Sequence, residues 1–298
     1  MQLISRSDAY SLSHLTAPSM LNQVGGALMK TGNRVLSAVV LVLCLFLASG
    51  CTSVPKEDNI YQVSLLNALL QGEYDGFVSV GTLKDHGDTG IGTFDTLDGE
   101  MIFLDGNVYK AKVDGAVELM DDQMLVPFAV ATTFEPDVIV KPWTAIADIE
   151  TLKTTMDACI AETTNDFNRF YVAKVSGTFS HVRVRSVPSQ EKPYRPLSVI
   201  AESQREFEYE QVEGTIVAFR SPDYVEGINL PGWHLHFLSV DKSKGGHLLE
   251  ASLVQGKIKM GDMKEFQLIL PSSSSFAAMD IAHDRREETL AIEGVAKP

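Results

Sequence analysis

Three histidines in the C-terminal part of the chain have the residue type and spacing of metal ligands. His234 and His236 are two residues apart in an alternating apolar run, so on a β-strand both side chains point to one face. Residues 241–246 are polar and glycine-rich, which is typical of a hairpin turn that returns the chain and sets His247 opposite them. Three converging imidazoles predict a zinc site with an open coordination position, whereas the alternative is three half-buried histidines packed on a sheet.

The remaining candidate ligands and nucleophiles have simpler interpretations. His86 lies in a polar loop, His181 precedes a predicted strand and His283 lies in a charged tail. Cys159 belongs to a helical apolar pattern and has no neighbour that would lower its pKa, so we expect core packing rather than nucleophilic chemistry. Glu250 is three residues from the third histidine, and on a strand it points to the other face, so it is not expected to bind the metal.

An arginine and a glutamate elsewhere in the chain could complete a site. Arg185 alternates with valines, and its planar cation suits a carboxylate or a developing enolate. The pattern alone favours a surface arginine, and Arg183 shares its face on a regular strand. Glu100 follows a hairpin turn and precedes the apolar residues 101–104. On a buried strand its pKa would be raised and it could transfer protons, whereas the pattern alone favours an exposed turn residue.

Composition limits the classes of function. The chain has 298 residues, enough for one large domain or two moderate ones. Its net charge of −14 and the lack of a basic stripe argue against nucleic-acid binding. The glycines between residues 81 and 92 lack the strand–helix context of a nucleotide-binding loop.

Residues 1–50 differ in kind from the rest and predict a signal peptide. Lys30 and Arg34 precede the apolar run 35–47, which is short for a membrane span and leads to Ala-Ser-Gly before Cys51. Small residues before a cysteine resemble a bacterial lipoprotein signal, in which the cysteine carries the lipid. A simple signal peptide or a short N-terminal anchor is the alternative.

Residues 1–50 also predict the cellular location of the protein. A signal of normal proportions begins near Met29, so we expect residues 1–28 to lie upstream of the true start. Residues 51–58 are a polar tether. The protein is therefore expected to be exported, either anchored to the bacterial envelope through a lipid on Cys51 or free in the periplasm, with no other membrane contact.

Apolar periodicity predicts how the elements follow one another. Residues 59–71 and 149–168 have helical spacing, and residues 76–133 indicate an antiparallel meander with Asp-Gly turns. Residues 170–187 indicate a pair of strands. Further strands are predicted at residues 207–219, 233–240, 247–255 and 266–270. The fold class is therefore α+β, with mixed, mostly antiparallel sheets and a few helices. We expect an N-terminal α+β lobe at 59–165 and a C-terminal, β-rich, metal-binding lobe at 166–298.

Several short blocks of sequence point to a known family. They are Gly92-Thr93-Phe94-Asp95, Leu97-Asp98-Gly99-Glu100, Leu104-Asp105-Gly106, Lys192-Pro193-Tyr194-Arg195-Pro196-Leu197, Gly214-Thr215, Pro231-Gly232-Trp233-His234-Leu235-His236-Phe237 and Gly245-Gly246-His247. In this order and spacing the blocks resemble the α-acetolactate decarboxylase family, from about residue 61 to the C-terminus.

The resemblance implies a zinc-dependent lyase with a small-molecule substrate. Such an enzyme converts acetolactate (2-hydroxy-2-methyl-3-oxobutanoate) to (R)-acetoin and CO2, in acetoin and butanediol formation. The metal ligands fall on His234, His236 and His247, hereafter the histidine triad. The catalytic positions fall on Glu100, Arg185, Thr93 and Glu293, and either glutamate could deliver the proton. We expect the active site between the lobes, the C-terminal tail over it, and a homodimer.

Two other functions are alternatives to the lyase. An exported metal- or ligand-binding lipoprotein could keep this fold without catalysis, since acetolactate arises in the cytoplasm. However, a decayed enzyme should lose the glutamates and Arg185 first, and every matched position is filled. A zinc hydrolase is disfavoured because the chain lacks the helical His-Glu-x-x-His arrangement.

Overall fold

A computed structural model describes residues 2–5, 58–141 and 145–292. The helices are α1 (Leu66–Leu70), α2 (Val80–Asp85), α3 (Ile149–Thr163), α4 (Leu197–Ala201), α5 (Ser274–Ala278) and α6 (Arg286–Ile292), with 3-10 turns at Asp95–Leu97 and Asp223–Val225. The strands are β1 (Gln2–Ser5), β2 (Asn59–Val63), β3 (Val78–Ser79), β4 (Thr89–Thr93), β5 (Glu100–Leu104), β6 (Asn107–Ala111), β7 (Val117–Leu119), β8 (Leu125–Val126), β9 (Phe128–Thr132), β10 (Val138–Lys141), β11 (Phe170–Ser186), β12 (Arg205–Ser221), β13 (Gly232–Ser239), β14 (Gly245–Met263) and β15 (Glu265–Ile269).

One antiparallel sheet carries the predicted metal ligands. Its strand order is β1-β10-β14-β11-β12-β13, and β13 also pairs with β14, so four of the strands close on themselves. Helix α3 packs its buried face, Leu152, Met156, Cys159 and Ile160, into the apolar core of this sheet. The helix begins where predicted, at the capping residue Asp148, and ends five residues before the predicted boundary.

Strand β11 is one continuous strand, so the prediction of two strands between residues 170 and 187 was wrong. Gly177 lies opposite Gly214 on one side and Gly256 on the other. The pairing register of β11 with β14 then shifts after Thr178. Glycines and a register shift let a strand bend without ending, and they interrupt the alternation that marks a strand in sequence.

The second sheet has the order β15-β2-β9-β4-β5-β6-β7 and holds the predicted meander. Asp105 and Gly106 form the β5–β6 hairpin turn with φ angles of 51° and 80°, as an Asp-Gly turn predicts. Only β15 and β2 pair in parallel among the strands of this sheet that the structure describes. The α+β class with mostly antiparallel sheets is therefore confirmed.

The two sheets exchange strands between the halves of the sequence. Strand β10 comes from the N-terminal half but pairs with β14, and β15 comes from the C-terminal half but pairs with β2. Apolar side chains from both sheets meet in a shared core that includes Ile102, Val130, Val217 and Leu238. The division into lobes at residues 59–165 and 166–298 stays a prediction.

The helix predicted at residues 59–71 was wrong in its first half, where the chain forms β2. This strand lies between β15 and β9 and is almost wholly buried, so polar positions do not mark an exposed side. Buried Gln62 donates hydrogen bonds to the carbonyl oxygens of Ser64 (2.8 Å) and Ile228 (2.7 Å). A buried strand with a satisfied polar residue imitates the spacing of an amphipathic helix.

Candidate active site

The histidine triad converges as its spacing predicted. His236 on β13 lies directly opposite His247 on β14, and His234 shares the face of His236. Nε2 of His234 lies 3.1 Å from Nδ1 of His247 and 3.2 Å from Nε2 of His236. One donor atom from each ring lies within 4.8 Å of the others. The triad therefore presents three nitrogens to one point in space.

The donor set fits a divalent cation. Zinc–nitrogen bonds of about 2.0–2.1 Å in a tetrahedral site place neighbouring nitrogens about 3.3 Å apart, close to the two separations in the triad. The Nδ1 nitrogen of His236 lies 2.7 Å from the carbonyl oxygen of Met101. That carbonyl oxygen accepts a hydrogen bond from Nδ1–H, which leaves the Nε2 lone pair facing the triad, the arrangement typical of metal-bound histidines. Met101, on the second sheet, thus orients the ring of His236, on the first sheet.

Glu100 reaches the triad from the second sheet. It begins β5, is 8% exposed, and its Oε2 lies 3.7 Å from Nε2 of His236. Thr93 lies opposite it on β4 and donates a hydrogen bond of 2.7 Å to the carbonyl oxygen of Gly99. Gly99 has a φ of 87°, which favours glycine. Thr93 therefore fixes the turn from which Glu100 enters the site.

Arg185, rather than Arg183, faces the site. Arg185 lies opposite His247 and is 5% exposed. Its Nη1 donates to the carbonyl oxygen of Ile292 (2.6 Å) and to Oε1 of Gln204 (3.0 Å). Arg183 instead forms exposed ion pairs, and the β11–β14 register shifts between Arg183 and the next residue. The extra residue lies on β14, whereas β11 stays in register with β12 at both arginines, so the two arginines share a face and differ in the residues that contact them.

These groups line one small cavity of about 60 Å³. Its polar lining is the triad, Glu100, Thr93 and Arg185, and the other lining residues are Leu66, Leu69, Gly92, Leu97, Phe128, Val187, Leu197, Ala201 and Ile292. Glu293 lies outside the described residues, which end at Ile292. A larger cavity of about 490 Å³ shares Leu66 with the small one but none of its convergent polar groups.

Cys159, His86 and His181 make structural contacts, as expected. Burial raises the pKa of the Cys159 thiol to about 11, and Sγ donates to the carbonyl oxygen of Thr155. The ring of His86 stacks on Tyr61 with centroids 3.8 Å apart. His181 pairs with Glu210 at 3.0 Å.

Sequence reasoning missed several parts of the site. The carbonyl oxygens of Met101 and Ile292 carry no signal in the sequence, because every residue has one. Gln204 lies in an irregular stretch before β12 and matched no motif. The apolar wall from α1 had an apolar spacing that was interpreted only as helix packing.

Comparison with known proteins decides the family. A sequence profile described as "Alpha-acetolactate decarboxylase" matches residues 60–283. The chain belongs to the alpha-acetolactate decarboxylase family. A relative of that name from Methanosarcina mazei is 42% identical over 236 residues, which cover 79% of this chain and 80% of the relative. Another from Klebsiella aerogenes is 37% identical over 227 residues, covering 76% and 85% respectively.

Solved structures agree with the family. The crystal structure of alpha-acetolactate decarboxylase from Bacillus subtilis strain 168 is 32% identical, covers 80% of this chain and all of that chain, and superposes with a TM-score of 0.75. A Staphylococcus aureus protein of unknown function, described as similar to alpha-acetolactate decarboxylase, gives 0.72 at 28% identity, with coverage of 80% and 100%. The resemblance stated from the sequence is confirmed, and the protein is an enzyme of the carboxy-lyase class.

The expected N-terminal export signal lies almost wholly outside the described residues, since only residues 2–5 are described before Asp58. Within the described part of the chain no helix is both long and apolar enough to cross a membrane.

Proposed function

We propose that the protein decarboxylates acetolactate to (R)-acetoin and CO2 with zinc as its cofactor, in acetoin and butanediol formation. The observation that carries this proposal is the convergence of the histidine triad, Glu100 and Arg185 on one small cavity. A metal site alone would suit a binding protein. A buried cation and a buried carboxylate beside it suit a reaction that moves charge and one proton.

The reaction has two chemical requirements. The bond between the carboxylate carbon and C2 breaks, and its electron pair moves toward the neighbouring ketone oxygen to give an enolate and CO2. One proton must then reach C2 on one face. A divalent cation held by the triad supplies, when bound, positive charge where the oxygen becomes negative. Three neutral nitrogens without a carboxylate ligand favour zinc.

The chain's own residues have separate tasks in this proposal. Arg185 orients the substrate carboxylate through its planar guanidinium. The apolar walls of the cavity exclude water. Glu100 moves the proton to C2, because it is the buried carboxylate nearest the triad among the described residues. Thr93 holds the turn before Glu100. Glu293 follows cavity-lining Ile292 in sequence, and we propose it as a second acid.

The site is proposed to function in an exported, homodimeric protein. Residues 1–50 are the proposed signal, with residues 1–28 untranslated and Cys51 lipidated before the tether at 51–58. Incorporation of labelled palmitate that is lost in Cys51→Ser tests the anchor. Palmitate labelling that persists in Cys51→Ser would show that the anchor was wrongly assigned.

One experiment tests the activity itself. The purified protein is incubated with racemic acetolactate, and acetoin and CO2 are measured against spontaneous decay, with the acetoin enantiomers separated. We expect (R)-acetoin and CO2 in equal amounts. A protein that binds zinc but forms no acetoin above the spontaneous background would contradict the proposal and leave a binding protein.

A further inference from the structure

We propose that Gln204 is a positioning residue for the reaction, and that it acts by orienting the Arg185 guanidinium toward the cavity. This inference rests on the role proposed above for Arg185. Gln204 lies between α4 and β12 and does not line the cavity. Its Oε1 accepts a hydrogen bond of 3.0 Å from Nη1 of Arg185. This hydrogen bond links Gln204 directly to a side chain that lines the cavity.

The orientation of the Gln204 amide is determined by its two partners. Oε1 faces the Arg185 cation, and Nε2 donates a hydrogen bond of 2.9 Å to Oε1 of Glu206. Reversing the amide would set a donor against the guanidinium and an acceptor against the carboxylate. Glu206 is fixed in turn by Arg183, whose Nη1 lies 2.6 Å from Oε2.

The resulting chain runs from the protein surface to the cavity. Arg183 pairs with Glu206, Glu206 with Gln204, and Gln204 with Arg185. The hydrogen bond from Arg183 holds the pKa of Glu206 below its ordinary value, so this carboxylate remains an anion and an acceptor. Arg183, the surface arginine, thus holds Glu206 in place. Glu206 in turn holds Gln204, which orients Arg185.

The neutral amide has a particular advantage at this position. A carboxylate in contact with Arg185 would orient it equally well but would form an ion pair that offsets its charge. Glu206 lies opposite Arg185 across β11 and β12 and accepts hydrogen bonds from Gln204 and Arg183. The Gln204 amide therefore orients the guanidinium without placing a further negative charge in contact with it.

The test compares Gln204→Met and Gln204→Glu with Gln255→Met, a change on an exposed residue of β14. Loss of a hydrogen bond to a charged group predicts a fall in kcat/KM of about ten- to a hundredfold for Gln204→Met. Gln204→Glu keeps the acceptor, so we expect kcat near that of the parent and KM raised several-fold. Bound metal and melting temperature should stay near the parent values in all three variants.

A double-mutant cycle separates positioning from general support. In an Arg185→Ala background, assayed at high enzyme concentration, Gln204→Met should change kcat/KM by less than about twofold, since no guanidinium remains to orient. Equal losses in both backgrounds would overturn the inference. So would a fully active Gln204→Met alongside an impaired Arg185→Ala. A fully active Arg185→Ala would instead remove the proposed role of Arg185 and this inference with it.

Discussion

Replacing Glu100 by glutamine removes the carboxyl group that could carry a proton and leaves the shape of the site almost unchanged. The Glu100 carboxylate lies 3.7 Å from Nε2 of His236 and is buried. The amide has no transferable proton, and loss of a general acid or base lowers rates by about 10²–10⁴-fold.

The middle of that range is the expected effect of Glu100→Gln, because the cavity keeps its shape and its other polar groups. We therefore expect kcat to fall about a thousandfold when the enzyme is saturated with zinc. The triad is unchanged, so the variant should still bind about one metal ion per chain.

The assay follows acetoin formation and measures bound metal in the same samples. Glu118→Gln is the matched control, because Glu118 lies on β7 of the same sheet and forms an exposed ion pair with Lys112. This control should keep parental activity, since exposed ion pairs contribute little. A Glu100→Gln enzyme within tenfold of the parent would refute the proton-transfer role. A variant that lost its metal would make Glu100 a ligand instead.

The described contacts also predict the behaviour of the triad, of Cys159 and of Thr93. His247→Ala should lose both bound metal and activity, whereas His86→Ala should keep both; metal analysis and acetoin formation check this pair. Iodoacetamide at pH 8 should label Cys159 only after denaturation, because its raised pKa keeps the buried thiol protonated. Its contribution to stability should be complete below the ordinary thiol pKa and lost as pH rises through about 11, which melts of the parent and Cys159→Ser across pH 8–11 can measure. Thr93→Val should destabilise the fold by about 1–3 kcal/mol, since it leaves the buried Gly99 carbonyl oxygen without its donor, and denaturant unfolding measures the loss. Rapid labelling of native protein at Cys159, or an unchanged midpoint for Thr93→Val, would contradict these arguments.

The convergence of the histidine triad could be predicted from sequence because its geometry is local. Two histidines at i and i+2 share a strand face, and a short turn fixes the register of the third. Glu100 and Arg185 depended on the family resemblance, because nothing in their neighbouring residues reports burial against another sheet. Pattern alone favoured an exposed position for both, and both are buried.

The choice between Arg183 and Arg185 shows why the rest could not be predicted. Arg183 pairs with Glu250 and the next residue of β11 pairs with Leu248, so Leu249 has no partner across the sheet. That extra residue lies on β14, and β11 stays in register with β12 at both arginines, so the strand pattern cannot separate them. Their contacts do: Arg185 meets Gln204 and the carbonyl oxygen of Ile292, which are distant in sequence and leave no trace in the hydrophobic pattern. Strand β2 was mistaken for helix for a related reason, since burial on both faces removes the alternation that marks a strand.

The most direct test of the central claim is a metal titration of the chelator-treated enzyme. Zinc is added back in known amounts, and bound metal and the rate of acetoin formation from acetolactate are measured together. Activity should be lost in the metal-free protein and return in proportion to bound zinc, reaching its maximum at one ion per chain. Full activity in protein shown to be metal-free, or zinc that binds one to one without restoring acetoin formation, would contradict a decarboxylase centred on the histidine triad.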